Sequence, residues 1–288
     1  MKRYHWDIYA VLEAPQELYF GHEVEINVNR VETVTVEGPQ GRVIKAYFSP
    51  TKRRGVERRT LLWAPHKDGK TLGEYLECGI PATCARVEPE DDKPACPICR
   101  VFGALLPGEK TVIGRLTHGG GVAIQTLEPQ EKQRAMHPSD LVRSGKDQEN
   151  PTPFRREYNQ PGLYYPVYNH ALSVSEEDFA AAAYAFLNML PRVGAGNPKG
   201  ARILLDGDFG PYLVLDRYLV PKGARPIISP HQTVEPALEG FRKEAWQVRG
   251  LSIENGKAAD DYFTRWVGEA ALAELERLAQ VFADKYLV

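Results

Sequence analysis

Apolar and polar positions alternate from the start of the chain. Tyr4, Trp6, Ile8, Ala10 and Leu12 fall on one side of an extended segment, with Tyr9 and Val11 on the other, which predicts a strand with one well-buried face. Residues 24–36 (VEINVNRVETVTV) alternate again, with breaks that suggest a bend, and residues 37–42 (EGPQGR) read as a turn. Ser49-Pro50 then sets a capping residue before a proline at the first helical position. The helix it opens is expected to run through TKRRGVERRTLLW (51–63), with Val56 and Trp63 toward the core. Residues 107–121 are broken by Pro107, Gly108, Gly114 and Gly119 to Gly121, and residues 128–162 are polar, proline-rich and aperiodic, a long excursion. GLYYPVYNHALSVS (162–175) reads as a strand. Ser175 to Asp178 resembles a capping box for the helix that continues as FAAAAYAFLNML. GAGNPKGARILLD (194–206) is a glycine-rich turn into a strand, PYLVLDRYLVP (211–221) a further strand, and helices are expected at about 232–246 and 260–286. This mixture lacks regular strand–helix alternation, so the expected class is α+β, one domain over 1–288 with no internal repeat.

Composition places the chain among globular proteins: 43% hydrophobic and 10% aromatic residues. No apolar run is long enough to predict a membrane span, and the N-terminus alternates where a signal peptide would be solidly apolar, so a cytoplasmic protein is expected. The formal net charge of -2 gives no support to a nucleic-acid binder taken globally. Its distribution does. Lys52 to Arg59 carries five positive charges and one negative, while residues 259–288 carry six acids and three bases. Lys52, Arg53, Arg54, Arg58 and Arg59 crowd a helix start, where unpaired amides and the positive end of the helix dipole favour a phosphate. The competing reading is a solvated basic face.

All four cysteines fall within 22 residues, spaced Cys78-x5-Cys84-x11-Cys96-x2-Cys99. The CPIC step is a compact chelating turn, and four thiolates in one short loop suit a structural, tetrahedral Zn2+ with no site left for substrate. His66 is an alternative fourth ligand. Two disulfides or a redox CxxC are the competing readings; a reducing compartment disfavours the first.

Catalytic patterns are scarce. HExxH, GxSxG and paired-histidine motifs are absent, and the seven histidines are scattered, with His118 and His137 isolated. The glycine-rich loop follows a helix and enters a strand, the wrong order for a dinucleotide fold, and lacks the P-loop pattern. Its amides, with Lys199, could still approach a phosphodiester; a helix C-cap and turn is the plainer reading.

Three segments together resemble one family. YFSPTKRRGVERRTLL is similar to the basic helix segment of the CRISPR-associated RAMP superfamily, ACPICRVFG to the CxxCRLFG segment that follows it in many members, and GAGNPKGARI to their glycine-rich loop. The match covers about residues 36–116 and 186–206; size and the cysteine insertion resemble the Cas-seven family. The resemblance implies an RRM-like, ferredoxin-type palm with a zinc-binding insertion at about 64–106 and a thumb-like excursion at about 118–165. It implies a backbone subunit of an RNA-guided effector complex that binds crRNA, associates with copies of itself and other effector subunits, and supports pairing with target DNA or RNA. Ser49, Lys52, Arg53, Arg54, Arg58, Arg59, Gly194, Gly196 and Lys199 are the expected RNA-binding residues, and Cys78, Cys84, Cys96 and Cys99 the zinc ligands. The family's serines and glycine are replaced here by Ser49, Pro50 and a shifted Gly55. Some members cut target RNA with an aspartate upstream of the basic helix; the nearest acid here is Glu32. The alternatives are thus a RAMP endoribonuclease, whose precursor-processing form would need a placed histidine, and a zinc-stabilised interaction module without nucleic acid.

Overall fold

In a computed structural model of the chain, residues 2–20, 22–25, 28–38, 41–90, 93–134, 154–194 and 200–288 are described. The chain is α+β. Among these residues the main sheet has seven strands: β1 (Arg3–Ala14), β2 (Leu116–Gly120), β3 (Leu163–Ser175), β4 (Arg202–Ile203), β5 (Leu213–Tyr218), β6 (Lys257–Ala259) and β7 (Phe263–Val267). Their order is β6-β7-β5-β1-β3-β2, β4 also pairs with β1, and every pairing is antiparallel. The helices are α1 (Pro50–Leu62), α2 (Leu72–Leu76), α3 (Pro97–Phe102), α4 (Glu176–Met189), α5 (Val234–Ala245) and α6 (Glu269–Tyr286).

The alternation in β1 divides the molecule, because successive side chains leave a strand on opposite faces. Trp6, Ile8, Ala10 and Leu12 join Leu61 of α1, Phe179 and Phe186 of α4 and Leu275 and Phe282 of α6 in the larger core. Trp6 stacks on Phe179 with ring centroids 4.3 Å apart. Tyr9 and Val11 point the other way, into a second core with Tyr168, Val214 and Phe241 of α5. Both faces of β1 are therefore buried over this stretch, one more than the pattern predicted. On the second face Arg265, itself fully buried, grips Asp216 through Nε and Nη2 at 2.7 and 2.6 Å. Its Nη1 donates to the Glu244, Ala245 and Gln247 carbonyls, closing the C-terminal end of α5 onto the sheet.

Several expectations hold. Ser49 is the N-cap of α1 with Pro50 in the first turn, although its side chain makes no capping hydrogen bond. Ser175 caps α4 by accepting from the Asp178 amide at 3.2 Å. Others are corrected. Trp63 is 68% exposed: α1 ends at Leu62, whose side chain and that of Leu61 already take the core-facing positions. The last helix starts at Glu269, because Phe263–Val267 is strand β7, buried at every position and so without an alternating signature. The ends of the polar excursion are strands, Gln130–Arg134 and Phe154–Tyr158, paired antiparallel within a four-stranded sheet that also holds His22–Glu25 and Val28–Val31. The span 118–165 shares its outer residues with β2 and β3; residues 135–153 lie outside the described residues. Among the described residues no helix is long and apolar enough to cross a membrane.

One buried charge cluster sets α1 on the sheet edge. Glu57, with no exposed surface, takes His118 Nε2 of β2 at 2.7 Å and the Asn169 amide of β3 at 3.1 Å. Arg53, equally buried, donates to the Gly119 and Tyr168 carbonyls, each at 3.0 Å. Burial opposes ionisation of Glu57, but the charges of His118 and Arg53 outweigh it and hold the carboxyl below its ordinary value. Burial pushes Arg53 down to about 10, which leaves it charged at neutral pH. Next to this cluster Gly121, at φ +96°, lets its carbonyl accept from the Phe48 amide; a Cβ there would lie 2.1 Å from the Phe48 oxygen.

Removing one member strands the rest in a dry interior. Glu57→Ala is expected to cost about 3–5 kcal/mol in urea unfolding at neutral pH. The contribution of Glu57 is complete above its ordinary value of 4.5 and is lost as pH falls through its lower native value. Glu57→Gln should therefore flatten the acid limb of a stability–pH curve relative to the unaltered protein. An unchanged limb would contradict this assignment.

Candidate nucleic-acid interface and metal centre

The cysteine segment builds its site from two short helices and the chain between them. Thr71 opens α2 with a reciprocal capping box: its Oγ1 accepts from the Glu74 amide at 3.2 Å, and the Glu74 carboxylate accepts from the Thr71 amide at 2.7 Å. Cys78 follows directly. Cys96 is the N-cap of α3 with Pro97 in its first turn, which puts Cys99 one turn away on the same side. The sulfur atoms of Cys78, Cys84, Cys96 and Cys99 all lie within 4.8 Å of one another. Cys78 and Cys84 stand 3.5 and 3.7 Å from Cys99. Thiolates about 2.3 Å from a central zinc ion would have tetrahedral edges of about 3.8 Å, whereas a disulfide needs about 2.05 Å, so the cluster has the dimensions of a zinc site. The Cys84 amide donates to the Cys78 sulfur and the Arg86 amide to the Cys84 sulfur, as thiolates require. Hydrogen bonding to the Cys78 sulfur, then to that of Cys84, pushes the Cys96 and Cys99 thiols up, while Cys78 and Cys84 are drawn down. His66 is not in this group; it is buried, stacked on Tyr75 at 4.0 Å. Arg86 holds the segment closed by donating to the Pro94 and Leu76 carbonyls, both at 2.8 Å.

The five cations of α1 separate by direction. Arg53 points inward, away from any external phosphate. Lys52 reaches Glu32 at 2.7 Å, so the acid nearest the basic helix is held in an ion pair. Arg54 donates to the Phe102 carbonyl and lies over the Phe102 ring, and Arg58 reaches the Gly79 carbonyl at 3.5 Å. These two arginines therefore dock the cysteine segment onto α1. A carbonyl partner does not neutralise a guanidinium. Among the described residues no carboxylate lies within ion-pair distance of Arg54, Arg58 or the half-buried Arg59. Burial and the neighbouring Arg58 push the Arg54 guanidinium down from its ordinary value, the mark of locally crowded positive charge.

A pocket of about 260 Å³ opens at the first turn of α1, lined by Pro50, Thr51, Arg54, Gly114, Leu116, Thr117 and His118. The first turn carries no acidic residue. The His118 side chain is 2% exposed, and among the described residues its Nδ1 has no hydrogen-bond partner. Helix-end amides, a guanidinium and hydroxyl groups converge there, a set suited to a phosphate oxygen. Ser49 is 6% exposed and contributes main chain more than side chain. Of the glycine-rich loop, Gly194 (φ +111°) and Gly200 (φ +69°) are described, and the Gly200 amide donates to the Val193 carbonyl at 3.1 Å. Gly196 and Lys199 lie outside the described residues. Sequence reading missed Glu57 and Asn169 and left His118 isolated. Only the β2–β3 register, with His118 opposite Asn169, assembles them.

No family model and no curated protein matches the sequence. Solved structures do. A chain of a "CRISPR RNA-guided surveillance complex, pre-nicking" aligns with a TM-score of 0.51 at 12% identity, covering 96% of this chain and 100% of that one. Csc2 of Thermofilum pendens aligns with a TM-score of 0.44 at 12% identity over 83% of this chain and 75% of that one. A chain of a type IV-B CRISPR complex aligns with a TM-score of 0.40 at 15% identity, over 79% and 96%. The first of these shares the fold over its full length.

The cysteine geometry predicts about one tightly held thiophilic metal per chain in protein purified under reducing conditions. Elemental analysis should find it. Cys96→Ser or Cys99→Ser should lose it and lower the thermal midpoint, and a chelator should do the same to the unaltered chain. Metal-free protein of unchanged midpoint would contradict the assignment.

Proposed function

We propose that the chain is a crRNA-binding subunit of a CRISPR RNA-guided effector complex. Copies associate side by side along the guide and hold its phosphates while a DNA or RNA target strand pairs with it. The observation that carries this reading is the end-to-end fold match to a chain of a CRISPR RNA-guided surveillance complex. The element order β1-α1-β2-β3-α4-β5, with sheet order β5-β1-β3-β2, supports an RRM-like, ferredoxin-type palm. On that palm the insertion at 64–106 is a zinc-stapled finger and the excursion within 118–165 a thumb, all in one domain spanning 1–288. Zn2+ serves as a structural ion, four thiolates closing its shell.

The guide's phosphates would meet the first turn of α1, its uncompensated Arg54, Arg58 and Arg59, and Lys52, whose Glu32 partner a phosphate would replace, with Ser49 supplying backbone. Gly194, Gly196 and Lys199 form a second contact of the same kind. Arg53 serves the site indirectly, by fixing α1. Such contacts read the backbone and leave sequence to base pairing. An overall charge of -2 is compatible with this, because the positive charge is concentrated locally, five Lys and Arg against one Glu over residues 52–59.

Binding of a labelled single-stranded RNA tests the reading. Lys52→Ala and Arg59→Ala alter side chains that are not in the core, so the fold should persist. Each should weaken binding several-fold, equally for unrelated sequences, and each lost phosphate contact should reduce the slope of log affinity against log salt by about 0.7. Unchanged affinity and slope in the double variant would remove α1 from the interface.

A further inference from the structure

A cavity of about 480 Å³ lies between a β-hairpin and the start of α5, and it shares no lining residue with the pocket at α1. The hairpin pairs Thr33–Gly38 with Gly41–Ala46, Val36 opposite Val43. Alternation along its second strand puts Val43 and Lys45 on one face and Ile44 on the other, where it is exposed. The segment after β2 runs alongside: the Ala123 and Leu127 amides donate to the Ala46 and Ile44 carbonyls, both at 2.9 Å. Ile124, between them, joins the second core and lines the cavity. The loop that enters α5 supplies the other wall. There the Gln232 side-chain oxygen accepts from the Ser229 amide at 3.0 Å, which leaves the side-chain nitrogen without a hydrogen bond among the described residues. Thr233, the N-cap of α5, makes no side-chain capping bond. The Val234 and Glu235 amides of the first turn therefore lack that partner as well.

Lys45 gives the cavity its character. It is 5% exposed and donates through Nζ to the Ile124 carbonyl at 2.6 Å. An ammonium has three donors, so two are left. Among the described residues no carboxylate compensates it, and burial alone pushes it down from its ordinary value. Glu37 and Glu235, which follow Val36 and Val234 in sequence, are exposed and outside the lining. A buried cation without a counter-ion is costly to fold around. A ligand that brings the negative charge removes that cost. Donors with no acid among them select an anion. Apolar walls and a volume within the range of small-molecule sites call for an organic body on that anion. We propose that this cavity binds a nucleoside monophosphate. Lys45 and the start of α5 take its phosphate. Val36, Val43 and Ile124 pack against its base, and the Gln232 side-chain nitrogen donates to the base edge. The inference does not depend on the RNA-binding reading, whose residues it does not share.

The test titrates the full chain with each of the four ribonucleoside 5′-monophosphates by calorimetry. At least one should bind, at one per chain, and its nucleoside and inorganic phosphate should each bind at least about 10-fold more weakly. Lys45→Met should weaken binding about 10-fold or more and leave the thermal midpoint equal or higher, because it removes an unpaired buried charge. Val43→Phe, which fills the cavity from a half-buried hairpin position, should abolish binding even if Lys45→Met fails to fold. No binding by any of the four, or equal binding by both variants, overturns the inference. Displacement of the nucleotide by a short RNA with a 5′-hydroxyl also overturns it, because the nucleotide then sits on the RNA path. Displacement only by the same RNA carrying a 5′-phosphate upholds the site and assigns it to a strand end. Displacement by neither upholds it and assigns it to a free nucleotide.

Discussion

The buried cluster of Arg53, Glu57, His118 and Asn169 is the constraint on which the candidate interface depends. Helix α1 has little apolar surface of its own, since five of its thirteen residues are Lys or Arg. Hydrophobic burial alone would seat such a helix weakly. The cluster supplies directional bonds in a dry interior, where each partner left unpaired would be expensive. It thereby sets the helix at one angle against β2 and β3. The docking of the cysteine segment then follows, because Arg54 and Arg58 project from the same helix to the carbonyls of Phe102 and Gly79.

This gives the basic residues two jobs. Charges that look alike in sequence differ by where the helix turns them. Arg53 is structural, Arg54 and Arg58 join two parts of the fold while keeping their charge, and Lys52 and Arg59 lie toward solvent. Arg265 repeats the first pattern on the other sheet face, closing the end of α5. Two arginines buried in the interior, one on each face of the sheet, hold helices whose apolar surface is modest. On the second face Asp7 of β1 gathers two tyrosines and a histidine.

Much of the frame was legible because it follows local rules. The alternation of β1 and β3, the Ser49-Pro50 start of α1, the Ser175 cap of α4 and the class α+β all rest on periodicity and capping. The CPIC spacing places Cys96 and Cys99 on one helical turn, and four sulfurs within metal-binding distance follow once Cys78 and Cys84 fold back. What escaped needed long-range register. His118 and Glu57 are 61 residues apart, and His170 and Asp7 are 163 apart. Nothing local distinguishes them from any exposed histidine and acid. Strand β7 escaped because a strand buried on both faces has no alternation, and Trp63 was misplaced because it is the C-cap, one residue past the end of α1, and so leaves the helical face that the periodicity assigned to it.

The central claim is that this fold holds a guide RNA, and co-expression with a CRISPR array tests it most directly. The protein is purified under reducing conditions and the bound nucleic acid is sequenced. The account predicts a discrete RNA with repeat-derived ends, accompanied by several copies of the chain. Protein that emerges free of nucleic acid, with the neighbouring effector subunits present, would contradict it and leave a metal-stapled interaction module.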